Sequence, residues 1–179
     1  MTYVDRSRHN DTDNVLVYGG IKFFDGINRS ATKNLIVTPW VSNEGGSACL
    51  SLPVGLSARN LSGHFSHFVD NDCVMRAGDF PYQCVGSPFY NKTDRVDVRD
   101  NRFYRVNASK EQAQDWGGAC SCWPNPKSSG AGACPYVNFS QWQADGHDAG
   151  SVIETVLTDA KLLEMARVKL GMAVQYDTI

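Results

Sequence analysis

The sequence predicts an all-β chain wound as a parallel solenoid and finished by one C-terminal helix. Three observations predict it. Asn14, Asn34, Asn71 and Asn101 each stand just ahead of a short run of β-formers: Val15-Leu16-Val17, Leu35-Ile36-Val37, Cys73-Val74-Met75 and Phe103-Tyr104. An Asn turn followed by a short strand, repeated along a chain, is how parallel coils stack. Between these sites, strand-like runs alternate with polar, Gly-rich turns, as in Val15 to Tyr18, Gly19-Gly20, Ile21 to Phe24 and Asp25-Gly26. Helical spacing shows at the C-terminal end, where Leu162, Leu163, Ala166 and Leu170 recur. The rival is an all-β sandwich whose turns contain Asn, a residue that favours turns in any fold.

Taken in order, residues 1–114 are expected to form the coils. Their strands fall at Val15 to Val17, Leu35 to Val37, Cys73 to Met75 and Arg102 to Tyr104, stacked in register, with alternate residues filling a narrow core. The Asn positions are separated by 20, 37 and 30 residues, so the longest gap holds either two coils or one coil with an inserted loop. Residues 115–158 read as a Cys/Gly/Pro-rich loop and a terminal coil. Cys120 or Cys122 is expected to pair with Cys134 there, because such a loop has too few apolar groups to hold itself. Residues 159–171 read as a helix that Thr158 caps at its start and Gly171 at its end. Such a helix could cover the open end of the stack, whose unpaired strand edges otherwise invite aggregation. The whole is one domain of 179 residues.

A net charge of −2 and a pI near 6.0, without a Lys/Arg run, argue against nucleic acid or an acidic membrane surface as partner. No stretch reaches the 18 or so consecutive apolar residues of a membrane span, and the first residues do not read as a signal peptide. Yet six Asn-x-Ser/Thr sequons occur, at Asn10, Asn28, Asn60, Asn91, Asn107 and Asn138. From twelve Asn, chance would supply about one or two. Six cysteines form an even set, open to fifteen disulfide connectivities. Together these predict an extracellular, monomeric glycoprotein, with a stack truncated at its N-terminal side to account for the missing signal. A competing account is that Asn and Ser, common in solenoid turns, inflate the sequon number without any glycan.

Gly19-Gly20-Ile21-Lys22, Asp25-Gly26, Arg29 and Lys33-Asn34-Leu35-Ile36-Val37 resemble a coil of the secreted right-handed parallel β-helix proteins of the pectate-lyase-like superfamily. Trp142 to Ile153 is similar to the tract after the last coils in many of them, and Asp5-x-Ser7 precedes the first coil. The chain departs from the pattern in its C-terminal helix and its Cys120 to Cys134 loop. The resemblance implies a right-handed parallel β-helix in a carbohydrate-active protein, a polysaccharide lyase or glycoside hydrolase relative, with polysaccharide as partner. The alternative is a non-catalytic glycan-binding or scaffold module, since one fold hosts many activities.

The candidate catalytic residues are Lys22, Asp25, Arg29 and Asp5. A polyuronate lyase needs a cation to neutralise the sugar carboxylate and a base to take the α-proton, roles open to Lys22 and Arg29. A hydrolase needs two carboxylates flanking the bond, for which Asp5 and Asp25 are nearest. All are expected in one solvent-facing groove, because unpaired buried charges are costly; otherwise they form a solvated turn face with local ion pairs. Calcium is the cofactor the residue types suggest, through Asp70, Asp72, Asp94, Asp97, Asp100 and Asp115, although no spacing matches a dedicated calcium loop. Cys120, Cys122, Cys134 and His147 have a zinc-like count, but disulfide pairing is preferred over zinc. His64 and His67 read as packed or turn residues. Trp40, Trp116, Trp123 and Tyr90 are candidates for stacking on sugar rings.

Overall fold

Every predicted Asn turn is followed by its strand. The computed structural model describes residues 10–23, 28–39, 48–52, 65–76, 79–84, 96–106, 139–144, 146–154 and 157–173. The chain passes repeatedly through three sheets in the same order. The first sheet stacks β1 (Asn10–Thr12), β4 (Ser30–Thr32), β7 (His67–Val69) and β10 (Asp97–Arg99). The second stacks β2 (Val15–Val17), β5 (Leu35–Val37), β8 (Asp72–Met75), β11 (Arg102–Arg105) and β12 (Val152–Ile153). The third stacks β3 (Ile21–Lys22), β6 (Ala48–Leu52) and β9 (Phe80–Cys84). All these pairings are parallel and in register, so the antiparallel sandwich is excluded for the described residues. The architecture is all-β and solenoid-like. Because Leu35 pairs directly with Asp72, the 37-residue gap holds one repeat with an insertion, not two.

The corner between the first and second sheets explains the Asn recurrence. Asp13, Lys33, Asp70, Asp100 and Gly150 hold φ of 56°, 56°, 56°, 58° and 74°, and this left-handed residue swings the chain from one sheet to the next. Asn is the residue that follows. Its side chain runs along the stacking direction as a ladder: Nδ2 of Asn14 donates to Oδ1 of Asn34 at 3.1 Å, Asn34 to Asn71 at 3.0 Å, and Asn71 to Asn101 at 3.1 Å. Each backbone N–H of these residues donates to the same oxygen, at 3.1, 3.0 and 3.0 Å. Asn34, Asn71 and Asn101 are fully buried, so the ladder satisfies polar groups that water cannot reach. A fifth rung ends it, where Asn101 N–H donates to Ser151 Oγ at 2.7 Å. Sequence reading missed this rung because Ser replaces Asn, yet Gly150-Ser151-Val152-Ile153 repeats the pattern of Asp100-Asn101-Arg102-Phe103.

Strand alternation sends one row per sheet inward. Leu16, Ile36, Cys73, Phe103 and Ile153 line the second sheet's inner side, while Ala31, Phe68 and Val98 come from the first and Ile21, Leu50 and Tyr82 from the third. The aromatic rings meet edge to face: Phe68 to Tyr82 at 6.2 Å, Tyr82 to Phe103 at 5.7 Å, and Phe103 to Phe139 at 5.9 Å between centroids. A disulfide joins Cys49 of β6 to Cys73 of β8, linking successive repeats within this core. The expected pairing of Cys120 or Cys122 with Cys134 lies outside the described residues.

Two helices follow among the described residues. A short one, α1 (Phe139–Ala144), places Phe139 against Phe103 of β11. The second, α2 (Asp159–Lys169), starts at Thr158, whose side chain accepts from the Lys161 N–H at 3.3 Å. It stops at Gly171, whose φ of 66° lets Gly171 N–H reach Val168 O and Met172 N–H reach Arg167 O, closing the last turn. Both termini are as expected, but the placement differs. Instead of covering an open end, α2 lies across the outside of the second sheet, with Leu162, Met165 and Ala166 against Leu35, Val37 and Val74. Eleven residues span about 16 Å, close to the three strand spacings of about 14 Å from β11 to β2. Lys169 accordingly ends 3.6 Å from Asp13 in the first repeat. The reason is that β5 and β8 present apolar side chains outward as well as inward, and this outer stripe needs a cover. The predicted stripe is corrected too: Leu163 and Leu170 are mostly exposed, and Met165 takes their place against the sheet.

Candidate functional site

Of the four candidate catalytic residues, Asp5 and Asp25 lie outside the described residues. Lys22 is in β3, its backbone paired with Ser51, and its side chain is also outside them. Arg29 sits at the corner leading into β4. Its N–H donates to Ser66 Oγ at 3.1 Å and its C=O accepts from the His67 N–H at 2.8 Å. It is half-buried, and its Nε is enclosed without a hydrogen-bond partner, so it is not the freely solvated groove residue expected of it. Trp40, Trp116, Trp123 and Tyr90 lie outside the described residues.

The outer face of the first sheet instead carries a mainly polar surface, with Val69 as its apolar member. In register, one row runs Asn10, Ser30, His67, Asp97 and a second runs Thr12, Thr32, Val69, Arg99, with neighbours one strand spacing apart. Thr12 and Thr32 hydroxyls are 3.1 Å apart. His67 Nδ1 and Arg99 Nε both lie 3.1 Å from Oδ2 of Asp97, and Arg99 Nη1 donates to Asp100 at 2.8 Å. Hydrogen bonds to Asp100 and then Asp97 push the Arg99 guanidinium above its ordinary range. The His67 side chain is 53 % exposed, which corrects the packed or turn role expected for it. Phe65, just ahead of β7, is 49 % exposed at a left-handed corner. These residues had a signal in the sequence: Asn10, Ser30, His67 and Asp97 all stand four positions before a ladder Asn, which places them in one row.

Two further clusters are internally saturated. On the second sheet, Arg102 grips Asp72 with two bonds of 2.6 and 2.9 Å while Tyr104 OH donates to Asp72 at 3.2 Å. Burial, and then the Asp72 charge, push the Tyr104 hydroxyl up to about 12. Asp70 and Asp100 occupy equivalent corner positions, one repeat apart. With Asp72 and Asp97 already engaged, no three acidic, His or Cys side chains gather as a metal site among the described residues; Asp94 and Asp115 lie outside them.

At the end of the ladder, Asp148 is buried and accepts from Tyr82 OH at 2.5 Å and from Ser151 Oγ, while Gln143 Nε2 donates to the Ser151 carbonyl at 2.8 Å. Burial raises the Asp148 carboxyl to about 6, although the bonds from Ser151 and Tyr82 pull it the other way. The folded state therefore holds this proton more tightly than the unfolded chain. Its contribution is fully present below about pH 4, falls as pH rises through about 6, and is flat above. Relative to an Asp148→Asn variant, the wild-type chain should lose roughly 2 kcal/mol of stability between pH 4 and pH 7. Urea denaturation at the two pH values checks this; parallel profiles for the two proteins would refute it.

Among the described residues, no helix is long and apolar enough to cross a membrane. Comparison of the chain with protein-family models, with curated proteins and with solved structures returned no match.

Proposed function

We propose that this chain is a right-handed parallel β-helix protein of the extracellular, carbohydrate-handling kind, and that it binds polysaccharide along the outer face of its first sheet. One observation carries this reading: that face presents two in-register rows of amide, hydroxyl, imidazole, carboxylate and guanidinium groups, broken only at Val69, whereas α2 covers the outside of the second sheet. Repeating polar groups at one strand spacing suit a ligand that itself repeats. The Cys49–Cys73 disulfide supports an oxidising compartment.

A second reading, β-elimination on a polyuronate, is favoured by the exposed His67 imidazole beside Asp97 and the Arg99 cation on the same carboxylate. His67 would take the proton α to the sugar carboxylate, and Arg99 would stabilise the negative charge that develops. Hydrolysis is less well supported, because Asp97 and Asp100 are both held by Arg99.

The test is retention on immobilised neutral and acidic polysaccharides together with the ultraviolet absorbance of unsaturated sugar products. Arg99→Ala should weaken retention of an acidic polysaccharide about tenfold, the value of one charge-assisted contact. His67→Ala should leave retention near wild type and remove any product. Passage of every polysaccharide unretained would overturn the binding reading, and retention without product would remove the lyase.

A further inference from the structure

The twelve asparagines of this chain divide into chemically separate sets. Asn14, Asn34, Asn71 and Asn101 form the ladder, and the residues two positions after them are Leu16, Ile36, Cys73 and Phe103. None of the four is a sequon. The asparagines of the ladder therefore contribute nothing to the six sequons, and the ladder does not account for the excess. The two sequon asparagines among the described residues are differently placed. Asn10 is exposed on the outer face of β1, and Thr12 stands two residues on, on the same side of the strand. Asn28 is exposed at the corner before β4, where φ of 57° holds the chain in a left-handed bend, and Ser30 follows it. An oligosaccharide at either position would meet solvent, whereas one on Asn34, Asn71 or Asn101 would have to enter the core.

We propose that Asn10 and Asn28 are N-glycan acceptors. In the transfer, the Asn Nδ2 forms a bond to the anomeric carbon of a lipid-diphosphate-linked oligosaccharide. The bond from that carbon to the diphosphate oxygen breaks, the lipid diphosphate leaves, and the amide proton passes to a base of the transferase. The glycan on Asn10 occupies the first-repeat end of its row, while His67, Asp97 and Arg99 lie in the third and fourth repeats and stay open. The proposal does not depend on what those residues bind.

The experiment expresses the full chain behind a cleavable secretory leader in a eukaryotic cell line, with one additional sequon in a C-terminal tag to report arrival in the lumen. Enzymatic deglycosylation in ¹⁸O water then marks each occupied Asn as an ¹⁸O-labelled Asp for peptide mass mapping. Label is expected at Asn10 and Asn28 and absent from Asn34, Asn71 and Asn101. Thr12→Ala and Ser30→Ala should each remove one of the two labels. A labelled tag with bare Asn10 and Asn28 peptides overturns the proposal, and a single bare peptide removes that site.

Discussion

Asn71→Ala is expected to lower unfolding free energy by about 4 kcal/mol, because several buried groups lose partners together. Asn71 Oδ1 accepts from both the N–H and the Nδ2 of Asn34, each at 3.0 Å. Its Nδ2 donates to the carbonyls of Ala31 at 3.0 Å and Val69 at 3.2 Å, and to Asn101. Asn71 and Asn34 are fully buried, so water cannot replace these bonds without opening the stack. Asn71→Asp should fare little better, since a carboxylate supplies the acceptor but not the donors and adds a buried charge. Asn14→Ala provides the contrast. Asn14 is exposed at the first rung, and its loss should cost under about 1 kcal/mol. Chemical denaturation of the three variants decides the matter, and equal losses at Asn14 and Asn71 would show that the ladder is not a burial-dependent stabiliser.

Removing the Cys49–Cys73 bridge should cost about 3.5 kcal/mol on the chain-entropy model, for the 24-residue separation it closes. Cys49→Ala/Cys73→Ala isolates this bond, whereas a reductant would also act on the other four cysteines of the chain. The denaturation midpoint should fall while the slope m rises, because the unfolded chain without its cross-link is less compact and exposes more surface. A double variant as stable as the parent would mean that the bridge adds nothing beyond the packing of β6 against β8.

The stacking was legible because its cause is local. A left-handed corner residue followed by Asn needs only two neighbouring positions, and it marked β2, β5, β8 and β11 directly. The third sheet was harder to read: Ala48–Leu52 and Phe80–Cys84 follow variable connections, and no fixed residue announces them. The face with His67, Asp97 and Arg99 was missed for a related reason. Its members are 30 and 32 residues apart, and only counting back from each ladder Asn aligns them. Lys22, Asp25 and Arg29 drew attention by being close in sequence, but in a stacked chain sequence neighbours turn a corner while residues a full repeat apart become neighbours.

By itself the sequence determined the parallel repeat, the strands after each Asn, and the residues that begin and end α2. These follow from backbone conformation and side-chain hydrogen bonding within a few residues. Tertiary structure decided that Cys49 pairs with Cys73, that 37 residues make one repeat, that α2 lies along the second sheet, and that His67 meets Asp97. Each of these depends on which repeat stacks on which, and register between distant strands is set by burial across the whole core, not by any short stretch of chain.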